Sequence, residues 1–264
     1  RLSIGLQAWQ NQILKQLGRI HKREQFLQNY ELARKAGFGN VNIDLMFGLP
    51  GQRFDDWEET LFEVVKLYPE HISAYGLNIE DNTLFGKWYH KGLLALPSEE
   101  EERRMYHFTI DYLVKSGYQH YEISNFSLKE KECLHNQNYW ENGEYIGFGL
   151  AAHSHLQGVR FSNAEEFETY FMHIRQNNLP IAHRQENTLQ DEISETMFLG
   201  LRLIQGVNRR KFSERFGFDP VQKYMDKIKK LEKQKLLEID PYHIRLTRRG
   251  LDVSNQIFIE FLPD

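Results

Sequence analysis

Residues 40–51, NVNIDLMFGLPG, decide the fold class. Asn40 to Phe47 reads as a β-strand, and Gly48-Leu49-Pro50-Gly51 is the turn chemistry that stops it. Downstream, Trp57, Leu61, Val64 and Val65 share one face of a helix expected from about Asp55 to Leu67. Residues 71–77, HISAYGL, form the next strand. Upstream, residues 1–7 alternate apolar and polar as a strand does, and a helical stretch starts near Asn11. A clearer helix follows from Arg23 to Ala36, with Phe26, Leu27, Tyr30 and Ala33 at helical spacing and Gly37 as its C-terminal cap. Strand, helix, strand, helix, strand at roughly 30-residue spacing is the sign of parallel βα units. Three such strands look like the second half of a partly or fully closed βα barrel, whose chemistry would sit at the C-terminal strand ends. Gln7, Asp44 and the residues around Asn78 and Glu80 fall there.

Beyond the strands, Ser98 and Glu101 form a capping-box pattern for a helix running to about Ser116. Tyr121 to Phe126 (YEISNF) reads as one short strand. Residues 127–163 carry glycines, aromatics and histidines with little periodicity and read as a long functional loop with short helical pieces. A helix near 164–176 leads to a Pro/Asn/His-rich connector at 177–185. The last ~80 residues change character: helices at 189–203, 210–216 and 221–234, a small hairpin at 236–247 and a final helix resemble a winged-helix module. The expected domains are therefore 1–120, 121–185 and 186–264.

Composition narrows the function. Of 264 residues, 33 are Lys or Arg and 37 Asp or Glu, giving a formal charge of −4, which argues against a nucleic-acid partner. The six lysines from Lys223 to Lys235 read as a solvated helix face. Mean hydropathy is −0.61 and no apolar run approaches ~18 residues, so no transmembrane segment is expected. The single cysteine, Cys133, excludes an internal disulfide and a four-cysteine zinc or iron–sulfur site within this chain; the setting expected is a reducing cytoplasm. The opening Arg1-Leu2-Ser3 lacks an initiator Met and a signal-peptide pattern, and is read as the start of a piece of a longer protein.

Several residues invite chemistry. Gly147 to Ala152 matches G-x-G-x-x-A but lacks a following helix and a ribose-binding acid, so a tight turn is the better reading. His153 and His155 lie two apart, as one strand face would place them, without a third ligand at metal-site spacing. His135 and Tyr139, four apart in HNQNYW, share a helix face; both are residue types that ligate haem iron, and Trp140 beside them offers a flat apolar surface. The plainer alternative is that His135 caps a turn and Trp140 plugs the core. Asp44 either accepts hydrogen bonds from a ligand or caps the next loop.

Taken in order, Arg1–Gln7 (RLSIGLQ), Leu17-Gly18-Arg19 with His21, Asn42–Gln52 (NIDLMFGLPGQ), Pro69–Leu77 (PEHISAYGL) with Glu80 and Thr83, YEISNF, HNQNYW, Gly147–Ser154 (GFGLAAHS), Glu195–Arg202 (ETMFLGLR) and Leu246-Thr247 with Gly250 form one series. The series resembles the oxygen-independent coproporphyrinogen III oxidase-like family of radical S-adenosylmethionine (SAM) proteins. The H-N-x-x-Y-W pattern is similar to that of its haem chaperone (HemW-like) branch. The resemblance implies an α/β fold: the C-terminal half of a partial radical SAM (β/α) barrel, then a mainly helical, winged-helix-like domain.

It further implies SAM held by Gln7, Arg19 and Asp44. Arg19 would take the carboxylate, and Gln7 and Asp44 the ribose hydroxyls and ammonium. Haem would be held at His135 and Tyr139, with His135 on the iron. The function implied is haem binding and delivery to acceptors, membrane proteins among them. The alternative is conversion of coproporphyrinogen III to protoporphyrinogen IX. The family's [4Fe–4S] cluster needs a C-x-x-x-C-x-x-C motif that this chain does not contain, so radical chemistry is not expected of it alone.

Overall fold

The computed structural model describes residues 1–263, which divide into two compact units, 1–132 and 133–263. The YEISNF segment belongs to the first unit; HNQNYW and GFGLAAHS belong to the second.

The first unit carries β1 (Leu2–Gln7), α1 (Asn11–Gln16), α2 (Arg23–Lys35), β2 (Val41–Phe47), α3 (Phe54–Lys66), β3 (His71–Gly76), α4 (Leu84–His90), α5 (Glu99–Lys115), β4 (Gln119–Glu122) and β5 (Asn125–Ser127). These strands form one sheet in the order β1-β2-β3-β5-β4. The first three are parallel, as the βα spacing requires; β5 runs antiparallel to β3 and to β4. No closed barrel is formed among the described residues. YEISNF is thus the turn of a hairpin rather than one strand, reversing at Ile123-Ser124. The capping-box expectation is half met: Ser98 Oγ accepts from the Glu101 amide at 3.2 Å, while no return bond from Glu101 is found.

Side chains alternate across β2. Val41, Ile43, Leu45 and Phe47 enter a core with Leu6, Trp57, Leu61, Val64, Ile72, Met105 and Phe126, built by α2, α3 and α5 on that face. Trp57 anchors it: fully buried, its indole Nε1 donates to Thr109 Oγ1 at 2.9 Å. The opposite face is polar: register places Ser3 beside Asn42, Asn42 beside His71, Asp44 beside Ser73, and Ser73 beside Asn125. A parallel sheet normally hides both faces under apolar residues. Here the second face is polar, and Asn42, His71 and Ser73 on it are buried and bonded to one another.

The second unit carries α6 (Leu134–Trp140), β6 (His153–Leu156), β7 (Val159–Asn163), α7 (Phe167–Arg175), β8 (Ile181–Glu186), α8 (Leu189–Gly200), β9 (Val207–Asn208), α9 (Arg209–Phe216), α10 (Pro220–Lys223), α11 (Met225–Lys233), β10 (Leu237–Ile239), β11 (His243–Leu246), α12 (Arg248–Asp252) and α13 (Ser254–Ile259). Strands β6, β7 and β8 make an antiparallel sheet where a loop and a connector were expected. Strands β10-β11-β9 with α9 and α11 give the winged-helix-like end. Among the described residues no helix is long and apolar enough to cross a membrane.

Candidate functional site

Two places carry unusual geometry. The first lies at the β1 end of the sheet. The register slips between Gly5 and Gln7, and Gln7 sits at φ 71°, a left-handed conformation rare outside glycine. A Cβ on Gly5 would lie 2.7 Å from Gln7 Nε2 and 3.4 Å from Arg19 Nη2, so the amide and the guanidinium converge over that glycine. Asp44 is Gly5's register partner on β2. The three residues expected to act together are thus neighbours. Gly5, Gly18, Arg19 and His21 line a cavity of about 420 Å³. His21 Nε2 is buried there without a hydrogen-bond partner among the described residues.

Asp44 is held from behind. Asn42 Nδ2 donates to Asp44 Oδ1 at 2.8 Å and to Ser3 Oγ at 3.3 Å. The Asn42 carbonyl oxygen accepts from His71 Nδ1 at 2.7 Å and from Ser73 Oγ at 3.1 Å. With Nδ1 donating, His71 Nε2 accepts from Tyr121 Oη at 2.8 Å. Burial pushes the His71 imidazole down to about 3, with Arg1 adding a smaller push, so the ring is neutral and this tautomer is fixed. Sequence reading missed Asn42, His71 and Ser73; the i, i+2 polar alternation through two adjacent strands was the available signal.

The second place is a cavity of about 830 Å³ in the second unit, within the size range of small-molecule and cofactor sites. His135, Tyr139 and Trp140 reach it from α6, Tyr145 to Phe148 from the following loop, Arg160 from β7, and Glu195, Phe198 and Leu199 from α8. His135 and Tyr139 meet as their spacing implies: Tyr139 Oη and His135 Nε2 are 2.7 Å apart, and their rings pack edge-on at 4.7 Å. Burial raises the Tyr139 hydroxyl above its ordinary value, so it stays protonated and donates to the imidazole. His135 is exposed at the cavity, and its Nδ1 has no hydrogen-bond partner among the described residues. Trp140 does not plug a core: it is half-buried, under the Arg202 guanidinium at 4.3 Å from the ring centre.

GFGLAAHS is the tight turn expected. A Cβ on Gly147 would lie 2.2 Å from the His153 carbonyl oxygen, so only glycine lets these backbones approach. His153 and His155 diverge in role. His153 lines the cavity, while His155 is buried, 3.1 Å from Glu192 Oε1. His155, Glu192 and Glu195 offer three ligand atoms within 4.8 Å of one another. Their carboxylates are already taken, Glu192 by Arg215 and Asn187, Glu195 by Arg160 and Asn187. The group therefore reads as an ion-pair network and not as a metal centre.

Comparison with known proteins gives the lineage. Residues 1–64 match the radical SAM superfamily and residues 187–253 the HemN C-terminal domain. "Heme chaperone HemW" of Bacillus subtilis is 36% identical over 264 residues, covering all of this chain and 70% of that protein. The chain belongs to the HemW family. The Lactococcus lactis protein of the same name is 38% identical, with all of this chain and 69% of that protein covered. Among solved structures, the Escherichia coli coproporphyrinogen III oxidase HemN, a radical SAM enzyme, superposes with TM-score 0.80 at 21% identity. That match covers 99% of this chain and 63% of HemN. At that identity the match speaks for the fold alone, which this chain shares with the matched part of HemN.

Both sites suit the groups the family implies, to different degrees. The Gln7, Arg19 and Asp44 cluster offers an amide, a guanidinium and a carboxylate, the partners that the hydroxyls, carboxylate and ammonium of SAM require. The cavity at His135 offers imidazole and phenol donors within an aromatic lining, the donor set and surface that suit a porphyrin. A cysteine-bound cluster does not fit these residues, since Cys133 is the chain's one thiol.

Proposed function

We propose that this chain is the larger part of a cytoplasmic haem chaperone of radical SAM architecture, which binds haem in the second unit and delivers it to acceptor proteins, membrane-bound ones among them. Similarity along the whole of this chain to relatives named heme chaperone HemW carries this reading. His135 is the iron ligand in this proposal. With Tyr139 donating to Nε2, the ring proton sits on Nδ1, so Nε2 becomes the iron-binding nitrogen when the Tyr139 hydroxyl turns away, and Nδ1 can bind iron only once its proton has moved to Nε2. Tyr139 holds the ring in place and supplies a phenol as a second contact. In the first unit, Arg19 pairs with the SAM carboxylate, while Gln7 and Asp44 take its hydroxyls and ammonium. SAM and the [4Fe–4S] cluster, whose thiolates lie outside this chain, would support transfer.

The test is a haem titration of the chain followed by Soret absorbance, run beside His135→Ala and Tyr139→Phe. A saturable spectral shift is expected, weakened at least tenfold in His135→Ala and changed in position, with affinity largely kept, in Tyr139→Phe. Equal saturable binding by the wild type and His135→Ala would remove His135 as the ligand. No saturable binding by the wild type would remove haem from the second unit.

A further inference from the structure

The cavity at His135 has one charged pair on its wall, Arg160 and Glu195. Its geometry is lopsided. Arg160 Nε donates to Glu195 Oε1 at 2.8 Å, and Nη2 donates to Glu195 Oε2 at 2.7 Å, a two-pronged bond that fixes the plane of the guanidinium. Nη2 gives its remaining hydrogen to Asn142 Oδ1 at 3.0 Å. Nη1, with two hydrogens, meets no acceptor nearer than Tyr145 Oη at 3.5 Å, which is too far for a good bond. An arginine carries five N–H donors in a rigid fork. Here one edge is locked and the other is presented, beside Tyr145, on the wall of the cavity.

Glu195 lines the same space, but its carboxylate is already engaged. Both its oxygens take Arg160, and Oε2 also accepts from Asn187 Nδ2 at 3.0 Å. Glu192 next to it is engaged by Arg215, Asn187 and His155 and does not line the cavity. No other carboxylate lines it, and beside the imidazoles of His135 and His153 the remaining walls are aromatic, aliphatic or amide. The cavity therefore combines a broad apolar surface with a single pre-oriented cationic edge. That suits a flat, largely apolar ligand that carries a carboxylate at its rim.

We propose that Arg160 selects the ligand by its carboxylate, accepted at the Nη1 edge, with Glu195 and Asn142 as the residues that position the guanidinium. The proposal rests on the haem reading and names the part of the porphyrin recognised: a propionate, distinct from the iron site at His135. Haem lacking free propionates would keep its iron chemistry and lose this contact.

The test compares haemin with haemin dimethyl ester, each titrated by Soret absorbance against the full chain and against Arg160→Gln and Arg160→Lys. The wild type should bind the free acid roughly tenfold or more tighter than the ester, the scale of a charge-assisted bond. Arg160→Gln should abolish that ratio by weakening the acid alone, and Arg160→Lys should keep part of it. The ratio is taken within each protein, so a general loss of fold in one variant does not imitate the result, and Arg160→Lys supplies a second charged readout. Equal binding of acid and ester by the wild type overturns the proposal while leaving haem binding intact. An Arg160→Gln variant that weakens both ligands equally also overturns it, since the residue would then act only on structure. Failure of the wild type to bind either ligand overturns the haem reading itself and this inference with it.

Discussion

The polar face of the first unit's sheet and the cavity of the second unit solve the same problem in opposite ways. On the sheet, Ser3, Asn42, Asp44, His71 and Ser73 are joined in one hydrogen-bonded chain set by strand register. Each of these five side chains has a partner before any ligand arrives, and Asn42 holds Asp44 by Oδ1. In the cavity, α6 buries none of its seven residues, and the functional groups come from a short helix, a loop and a hairpin. There, His135 Nδ1 and Arg160 Nη1 are left for a ligand to complete. Regular elements give a site whose strand-borne groups are bonded to one another; short elements give an open one with donors to spare.

The largest expected effect separates the two regions outright. Trp57 is fully buried between α3 and α5, and Trp57→Ala removes both its volume and its bond to Thr109. Large-to-small changes of this kind cost about 3–5 kcal/mol. Hydrogen exchange should show protection in β2 and β3 collapsing, with that of β6 to β8 retained. Equal loss in both regions would mean that the two units unfold as one.

A second effect belongs to the sheet and is driven by pH. The folded-state value of His71, about 3, lies below its ordinary 6.5, so the unfolded chain binds the extra proton between these limits. Stability from this group is full above pH 6.5 and falls as pH drops toward 3, by up to about 1.4 kcal/mol per pH unit. Urea midpoints of the first unit at pH 7 and pH 5 should show the decline, and His71→Gln should flatten it. An unchanged slope in His71→Gln would assign the acid sensitivity to other groups.

How much of this was legible differs by region for physical reasons. In the first unit, Trp57, Leu61, Val64 and the Gly48–Gly51 turn announce βα units, because long elements repeat their pattern often enough to be seen. Helix α4 was missed at only seven residues, though Thr83 caps it by accepting from the Gly86 amide at 3.0 Å. In the second unit, β6 and β7 hold four and five residues, too few for alternation to stand out from HSHLQGVRFSN. The signal was the two-residue turn between them: Gln157 and Gly158 both have positive φ, at 51° and 72°, as a tight hairpin turn requires. The functional pairs fared likewise. His135 and Tyr139 were visible because four-residue spacing on a helix is local. Arg160 and Glu195 were invisible because 35 residues and a change of element separate them.

The smallest expected effect tests whether the cavity's open design still depends on one tight contact. Gly147 and Gly149 stand two apart in the same turn and differ in what constrains them. Gly147 has an ordinary φ, but a Cβ there would lie 2.2 Å from the His153 carbonyl oxygen, which is backbone and cannot rotate aside. Gly149 has φ 101° and open space around it, so an added Cβ meets strain in the chain itself and no neighbour. Gly147→Ala should therefore push the loop off β6, cost roughly 1–3 kcal/mol as overpacking does, and weaken the porphyrin titration along with stability. Gly149→Ala should cost about 1 kcal/mol through backbone strain and leave the titration nearly unchanged. If both variants bind alike, the loop adjusts freely and the cavity's shape does not depend on the Gly147 contact. If only Gly147→Ala loses binding, the close approach of two backbones fixes the wall on which Tyr145 and Phe148 stand, and the open site is pre-shaped at that one point.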